Sequence, residues 1–290
     1  MKKLIIALIT LFIISGCSNP QQEKIHIISP SGAPALALIE LIDDENVNID
    51  IVDGSDVLQA EFINGNADII IAPINLGVKL SKKTENYKLS TIVTAGNLYL
   101  VSTNKEVTIN NKVAAFGESA VPGKIISYLK EELSSYEFEW FNSVSETTSA
   151  MLSGEYEAAL LAEPYLTIAR EKSRNEIFEI ANIQDIYKEK TSLSFYPQAA
   201  IFVNTKAEEN FDSLLARIEE GINKYNKDKE KLSKRIEEID LNKLGFENKN
   251  LIIDAYQRMG LVFKKSKEEK EAITIFLKLF DEKFDDGILY

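Results

Sequence analysis

Short runs of apolar residues alternate with stretches of helical periodicity over most of the chain. From Ile25 onward these runs are rich in Val, Ile, Leu and Ala and end near Gly, Pro, Asn or Ser, a pattern typical of an α/β protein with parallel strands. The pattern predicts strands at Ile25–Ile28, Asn48–Val52, Ala67–Ala72, Leu89–Thr94, Leu98–Thr103, Val113–Phe116, Glu137–Phe141, Ala158–Leu161 and Ala199–Val203. It predicts helices at Pro34–Ile42, Asp56–Asn64, Ile125–Leu133, Glu146–Leu152 and Tyr165–Lys172.

The pattern changes after Lys206. Strand-like runs disappear, and apolar residues at helical spacing continue among dense Lys and Glu residues. We expect helices at Glu208–Asn226, Lys229–Glu238, Asn248–Met259 and Lys267–Phe280. The charged residues of this segment are expected to form solvent-exposed helix faces.

One local pattern occurs twice, in Leu58–Pro73 and in Thr148–Pro164. Each copy contains a helix, a glycine, an acidic residue three positions later, an apolar strand and a proline. Gly65 and Gly154 stand where a left-handed residue commonly ends a helix. Two α/β lobes built on one plan are the simplest explanation, although this order of elements also recurs in α/β proteins generally.

Composition narrows the possible functions. The chain has 290 residues and a formal net charge of -12, so it would repel nucleic-acid phosphates and no nucleic-acid partner is expected. It contains one histidine, His26, and one cysteine, Cys17. These counts exclude an intrachain disulfide and a Cys/His zinc site, and they leave only His26 for a nucleophile–histidine pair. We expect no catalytic residue, no metal and no cofactor.

The N-terminus carries a secretory pattern. Two lysines precede the apolar run Leu4–Ile14, which is too short for a membrane-spanning helix of about 20 residues but suits the core of a signal peptide. Ile14-Ser15-Gly16-Cys17 then resembles the lipobox of bacterial lipoproteins, which implies a diacylglyceryl group on Cys17 and cleavage before it. We expect a signal peptide at 1–16 and a polar tether at 17–24; an ordinary signal peptide followed by a buried Cys17 is the alternative.

Four features occur together in this chain: the lipobox, the loop Ser29–Pro34 after the first strand, the passage Asn64–Ile69 and the passage Gly154–Pro164. In this combination the chain resembles the solute-binding lipoproteins of ABC importers, of the class II periplasmic-binding-protein fold. Within them it is most similar to the group that binds sulfonates, nitrate, taurine and thiamine precursors. Relatives typically have Asp at the position of Glu157.

The resemblance implies an α/β fold of two lobes, joined by two crossover strands and followed by a helical C-terminal segment. We expect lobe one at 25–103 plus 202–290, lobe two at 104–201, and crossovers near 101–104 and 200–204. The ligand is expected between the lobes, on loops at the carboxyl ends of parallel strands.

These strand-end loops contain small and polar residues that suit ligand contacts. The expected ligand-binding residues are Ser31, Gly32, Ala33, Pro73, Asn75, Asn97, Glu118, Ser119, Glu163, Tyr165, Tyr196 and Gln198. Alternatives remain open: Ser29–Pro34 as a plain strand-to-helix turn, Asn75 as a helix N-cap, and Glu163 bonded to the facing lobe or to a local amide.

We expect a monomeric, extracytoplasmic protein held at the cell membrane by a lipid anchor, which captures a small molecule and presents it to an ABC permease. Helix N-termini favour a sulfonate- or nitrate-like anion. The acids and aromatic residues favour a neutral or cationic heteroaromatic compound such as a thiamine precursor, and Lys124 is the only cation in the candidate loops. The alternatives are an enzyme of pyrimidine or menaquinone-precursor type, with Glu118 and Glu163 as acid and base, and a tethered sensory domain.

Overall fold

The computed structural model describes residues 24–105, 111–207 and 211–290. The predicted signal peptide, Cys17 and most of the predicted tether lie outside the described residues. Within the described part of the chain, no helix combines the length and the apolar character needed to cross a membrane.

The first of two sheets has six strands in the order β11-β4-β10-β3-β1-β2. They are β1 Ile25–Pro30, β2 Val47–Val52, β3 Ile69–Pro73, β4 Tyr87–Ala95, β10 Pro197–Asn204 and β11 Leu261–Lys265. β1 runs parallel to β2 and β3, whereas β10 is antiparallel to β3 and β4. Ile69, Ile70 and Ile71 of β3 are completely buried, as expected for a strand covered on both faces.

The second sheet has five strands in the order β7-β6-β8-β5-β9. They are β5 Leu98–Ser102, β6 Asn111–Phe116, β7 Tyr136–Phe141, β8 Ala158–Ala162 and β9 Phe178–Asn182. β6 is parallel to β7 and β8, and β5 is antiparallel to β8 and β9. Each sheet therefore has three parallel strands followed by an antiparallel one, which confirms two α/β lobes on one plan.

Helices cover both sheets. They are α1 Ala33–Leu36, α2 Ser55–Asn64, α3 Ile74–Thr84, α4 Val121–Tyr128, α5 Val144–Leu152, α6 Tyr165–Lys172, α7 Ile183–Thr191, α8 Asp212–Lys227, α9 Lys229–Glu238, α10 Lys249–Ala255 and α11 Lys270–Lys278, with 3-10 helices at Leu241–Leu244, Tyr256–Arg258 and Asp286–Ile288. As predicted, Gly65 is left-handed and ends α2. Gly154 also has a positive φ, of 81°, just after α5.

The prediction of a purely helical C-terminal segment is wrong, because β11 lies within it and pairs with β4 at the edge of the first sheet. Lys264 and Lys265 are exposed residues of this strand, and edge strands commonly carry lysines that discourage further pairing. In the sequence the same lysines resemble a solvated helix face. β9, also an edge strand, was not predicted either.

Four helices differ from the predictions. α3 and α7 were not predicted, and α3 contains Gly77, where a Cβ atom would lie 2.1 Å from the Phe202 ring. This glycine allows close helix–sheet packing but weakens the helical signal. α1 ends at Leu36, and the chain continues in turns rather than as a helix to Ile42. α4 starts and ends earlier than Ile125–Leu133, with Pro122 near its beginning.

The chain changes sheets earlier than the predicted crossovers near 101–104 and 200–204. Leu98–Ser102 already belongs to the second sheet, so the first crossover is Gly96-Asn97; the second is residues 192–196, before β10. The divisions at 103/104 and 201/202 therefore do not coincide with the sheet changes. A buried apolar run such as β5 carries no local sign of the sheet it joins, which explains the shift.

Candidate functional site

Loops from both lobes follow the carboxyl ends of the parallel strands. They begin at Ser31 after β1, Asp53 after β2, Ile74 after β3, Gly117 after β6 and Glu163 after β8. Ligands of open α/β sheets bind at such ends, and the two crossovers lie between the sheets. The candidate site is therefore the cleft between these two sets of loops.

The loop after β1 places Ser31 at the surface. Its hydroxyl donates to Asp53 Oδ1 at 2.8 Å, so Ser31 and Asp53 form one polar pair at the mouth of the cleft. Gly32 has a φ of 90° and leads into the single-turn α1. The Ala33 side chain is buried among core residues, so only backbone groups of Ala33 remain for the predicted contact.

The loop after β3 contains a polar atom without a partner. Pro73 is the residue before α3, and no side chain caps this helix; Asn75 therefore is not its N-cap. Asn75 Oδ1 is buried and has no hydrogen-bond partner. Because an unpaired buried acceptor costs free energy, this oxygen is suited to receive a donor from a ligand.

In lobe two, the loop after β6 makes a tight turn. Gly117 has a φ of 69°, and a Cβ atom on Gly123 would lie 1.9 Å from the carbonyl oxygen of Glu118, so the loop packs tightly against the start of α4. Glu118 and Ser119 are exposed. Both residues follow the carboxyl end of β6, where ligands of such sheets bind.

Glu163 follows β8, but its side chain is completely excluded from solvent. Oε1 accepts from Arg258 Nε at 2.7 Å, and Oε2 accepts from the Thr167 backbone N–H at 3.0 Å. Of the three predicted alternatives, bonds to the facing lobe and to a local amide are present. The expected ligand contact of Glu163 stays a prediction; in this structure its carboxylate is bonded to Arg258 and Thr167.

The crossovers contact each other. Tyr196 is completely buried, and a Cβ atom on Gly96 would lie 2.1 Å from its ring. The Tyr196 hydroxyl donates to Gln184 Oε1 at 2.9 Å, and Gln184 also bonds both the N–H and the carbonyl of Leu98. Burial raises the pKa of Tyr196 well above its ordinary value. In this structure Tyr196 packs between the two crossovers, and its expected contact with a ligand stays a prediction.

The remaining predicted residues lie near this hinge. Asn97 is buried and its Nδ2 donates to the Glu163 carbonyl at 3.4 Å. Tyr165 begins α6 and Gln198 lies in β10, both partly buried. Sequence reasoning missed Arg258 and Gln184: each makes contacts with residues distant in the chain, so no local pattern marks it.

Several hydrogen-bond acceptors lie in the loops at the carboxyl ends of the parallel strands. Asp53 and Glu118 are exposed carboxylates there, and the Asn75 oxygen adds a neutral acceptor. Within residues 24–105, 111–207 and 211–290, no group of three His, Cys, Asp or Glu side chains is arranged to hold a metal ion. The groups described suit a ligand that carries hydrogen-bond donors or positive charge.

Solved structures with this architecture include several transport proteins. An ABC transporter protein from Parabacteroides distasonis matches with a TM-score of 0.79 and 21% identity, covering 92% of this chain and 98% of that chain. The periplasmic aliphatic sulphonate binding protein SsuA from Escherichia coli matches with a TM-score of 0.67 and 11% identity, covering 92% of each chain.

A putative nitrate transport protein from Thermoplasma volcanium matches with a TM-score of 0.56 and 13% identity, covering 89% of this chain and 95% of that chain. No protein-family model and no curated protein sequence matches the chain. At these identities the likeness concerns architecture, and it extends over nearly the whole of both chains. The chain has the two-lobed α/β fold of ABC-transporter solute-binding proteins.

Proposed function

We propose that this protein is the solute-binding component of an ABC importer and captures a small organic molecule between its two lobes. The observation that carries the proposal is the match to the Parabacteroides distasonis protein, which covers 92% of this chain and 98% of that chain. A likeness over both lobes includes the cleft and the hinge as well as the sheets. Closure of the lobes around a solute would exclude water and complete its hydrogen bonds.

The proposed ligand contacts come from both lobes. Asn75 in lobe one, with Glu118 and Ser119 in lobe two, are the principal contacts, and Asn97 and Tyr165 lie near the hinge. Backbone groups of Ser31–Ala33 and the Pro73 and Gln198 positions remain secondary candidates. Asn75 is the strongest candidate because its buried oxygen lacks a donor.

We propose a neutral or cationic heteroaromatic ligand with N–H donors, such as an aminopyrimidine of the thiamine-precursor type. Its donors would bond the Asn75 oxygen and the carboxylates at the mouth of the cleft. A sulfonate, the ligand class in the name of the Escherichia coli neighbour, would meet Asp53 and Glu118, which repel anions. Arg258 does not compensate for them, because its positive charge is already paired with the Glu163 carboxylate.

A thermal-shift screen tests the function and the ligand class together. A compound that binds only the folded protein raises the melting temperature. We expect thiamine and aminopyrimidines to raise it, and alkanesulfonates and nitrate to leave it unchanged. Stabilisation by the anions alone would contradict the proposed ligand class, and stabilisation by neither group would argue against the proposed function.

The proposal includes a lipid anchor on Cys17, extracytoplasmic location at the cell membrane, a monomeric state and delivery of the ligand to a permease. The support is the lipobox-like sequence Ile14–Cys17 after an apolar run. Cys17→Ser should release the protein from membranes or block its maturation. Mass spectrometry that finds an unmodified Cys17 in the mature wild-type protein would contradict the anchor.

The alternative of an enzyme loses its strongest support. That reading uses Glu118 and Glu163 as an acid–base pair. Glu163 is excluded from solvent and bonded through both oxygens to Arg258 and Thr167. A carboxylate held in this way is not available to exchange protons with a substrate in the cleft.

A further inference from the structure

Four side chains form a bonded cluster between the lobes, which we call the hinge clamp. Arg258 belongs to lobe one, in the 3-10 helix Tyr256–Arg258; Tyr99, Glu163 and Thr167 belong to lobe two. Arg258 Nε donates to Glu163 Oε1 at 2.7 Å, and Arg258 Nη2 donates to Thr167 Oγ1 at 2.8 Å. Tyr99 donates from its hydroxyl to the Arg258 carbonyl at 3.0 Å.

The clamp neutralises a charge that lobe two cannot neutralise by itself. The Glu163 side chain has no solvent exposure, whereas Arg258 keeps 35% of its own. From the described residues of lobe two, this carboxylate accepts bonds from the neutral N–H and hydroxyl of Thr167. Among the described residues, Arg258 makes the only ion pair with Glu163. A buried carboxylate strongly favours a charged partner, so the bond across the lobes has a defined energetic reason.

The clamp lies at the pivot of the molecule. Two residues after Arg258, the Gly260 carbonyl accepts from the Ala95 backbone N–H at 2.7 Å, and a Cβ atom on Gly260 would lie 2.9 Å from the Gly96 carbonyl oxygen. Residues 258–260 therefore run along the first crossover. In contrast, Ser31, Glu118 and Ser119, in the loops at the carboxyl ends of β1 and β6, are exposed.

We propose that Arg258 is a positioning residue that holds lobe two to lobe one at the hinge and narrows the range of lobe orientations in the ligand-free protein. Arg258 bonds the Glu163 carboxylate and the Thr167 hydroxyl through its guanidinium, and the Tyr99 hydroxyl through its backbone carbonyl. Bonds in these different directions resist both sliding and opening of the two lobes. The effect on ligand binding rests on the proposed function. The apparent affinity for a ligand falls when part of the protein occupies lobe orientations that cannot bind it. Restraining the lobes therefore raises the apparent affinity.

Distances between spin labels on the two lobes test the clamp directly. Ser55→Cys and Ser145→Cys place labels on exposed residues just after β2 and β7, on the cleft side of each lobe, in a full-length Cys17→Ser background. We expect a narrow distance distribution without ligand. Arg258→Ala should broaden it and extend it to longer distances, and Arg258→Lys should restore part of the narrowing because an ammonium can still reach Glu163.

Two further variants separate clamp loss from general damage. Arg170→Ala removes a guanidinium from α6 whose 3.9 Å ion pair with Glu179 stays within lobe two, and it should leave the distribution unchanged. Should Arg258→Ala fail to fold, the variant Arg258→Ala/Glu163→Gln removes the clamp without leaving an unpaired buried charge, and it should also broaden the distribution. If the distance distribution of neither clamp variant is wider than that of the wild type, the clamp does not restrain the lobes.

Ligand binding provides a second readout. With the compound that gives the largest thermal shift as the probe, Arg258→Ala should bind about tenfold more weakly than the wild type, within the range common for coupled sites. The liganded distances should be the same in both proteins. A broadened distribution with unchanged affinity would contradict the effect on binding. If no compound binds, the proposed function fails, whereas the ligand-free distances still decide whether the clamp exists.

Discussion

The two copies of the repeated local pattern end in the same way but serve different purposes. In lobe one, β3 runs into Pro73 and α3, and Asn75 Oδ1 is buried without a partner. In lobe two, β8 is followed by Glu163 and Pro164, and the Glu163 carboxylate is fully bonded. One strand end keeps an acceptor free, and the other binds the opposite lobe.

The difference shows that a local pattern places a polar group but does not decide its partner. Both groups stand at the carboxyl end of a buried strand, where ligands of such sheets bind. Arg258, 95 residues further along the chain than Glu163, makes one of them structural. Among the described residues, Asn75 Oδ1 has no hydrogen-bond partner, which is why we propose that strand end as the ligand site.

The largest expected effect on stability concerns Glu163, at the end of β8. Arg258→Met keeps a long apolar side chain but leaves the Glu163 charge buried without its cation, which should lower the free energy of unfolding by about 3 kcal/mol. Arg170→Met, which breaks only the partly exposed 3.9 Å pair with Glu179, should cost less than about 0.5 kcal/mol. Urea unfolding measures both. Equal losses of unfolding free energy would show that the Arg258–Glu163 ion pair stabilises the fold no more than the partly exposed pair does.

A second contrast uses two asparagines. Asn204 Nδ2 donates to the Gly65 and Ala67 carbonyls at 3.0 and 2.9 Å, so Asn204→Ala should lower the free energy of unfolding by about 1–2 kcal/mol. Asn75→Ala removes an oxygen that has no partner and should change stability by less than about 0.5 kcal/mol, while weakening ligand binding by about tenfold. A stability loss as large as that of Asn204→Ala would make Asn75 a structural residue.

A smaller effect is expected at high pH. Burial, and next the nearby Glu163 charge, raise the pKa of Tyr99 from 10.0 to about 12. The unfolded chain releases this proton first, so the stabilisation is complete below pH 10 and is lost as the pH rises towards 12. The stability advantage of wild type over Tyr99→Phe should therefore shrink between pH 10 and pH 12. A constant difference over that interval would contradict the pKa shift.

The smallest effect is expected at Ser31. Its hydroxyl hydrogen is already donated to Asp53, so Ser31→Ala removes no donor that points to a ligand. Calorimetric titration should show a loss of affinity of about 0.5 kcal/mol, smaller than that of Asn75→Ala. A larger loss than at Asn75 would move the centre of the site to the loop after β1.

The sequence predicted an α/β protein through its short apolar runs, and two lobes through the repeated local pattern and the resemblance to solute-binding lipoproteins. It missed β11, whose lysines make an edge strand resemble a helix face. In the site, the positions of Asn75 and Glu163 followed from the strand ends. The buried pairing of Glu163 did not, because it depends on Arg258, which stands among the charged residues of a different lobe.

The central claim is that a solute binds between the lobes and draws them together, and solution scattering tests it most directly. The radius of gyration should be measured without ligand and with the most stabilising compound from the thermal-shift screen at saturation. We predict a smaller radius with ligand, since closure brings the loops after β1, β3 and β6 towards each other. An unchanged radius in a protein that calorimetry shows to be saturated would contradict a site between two moving lobes.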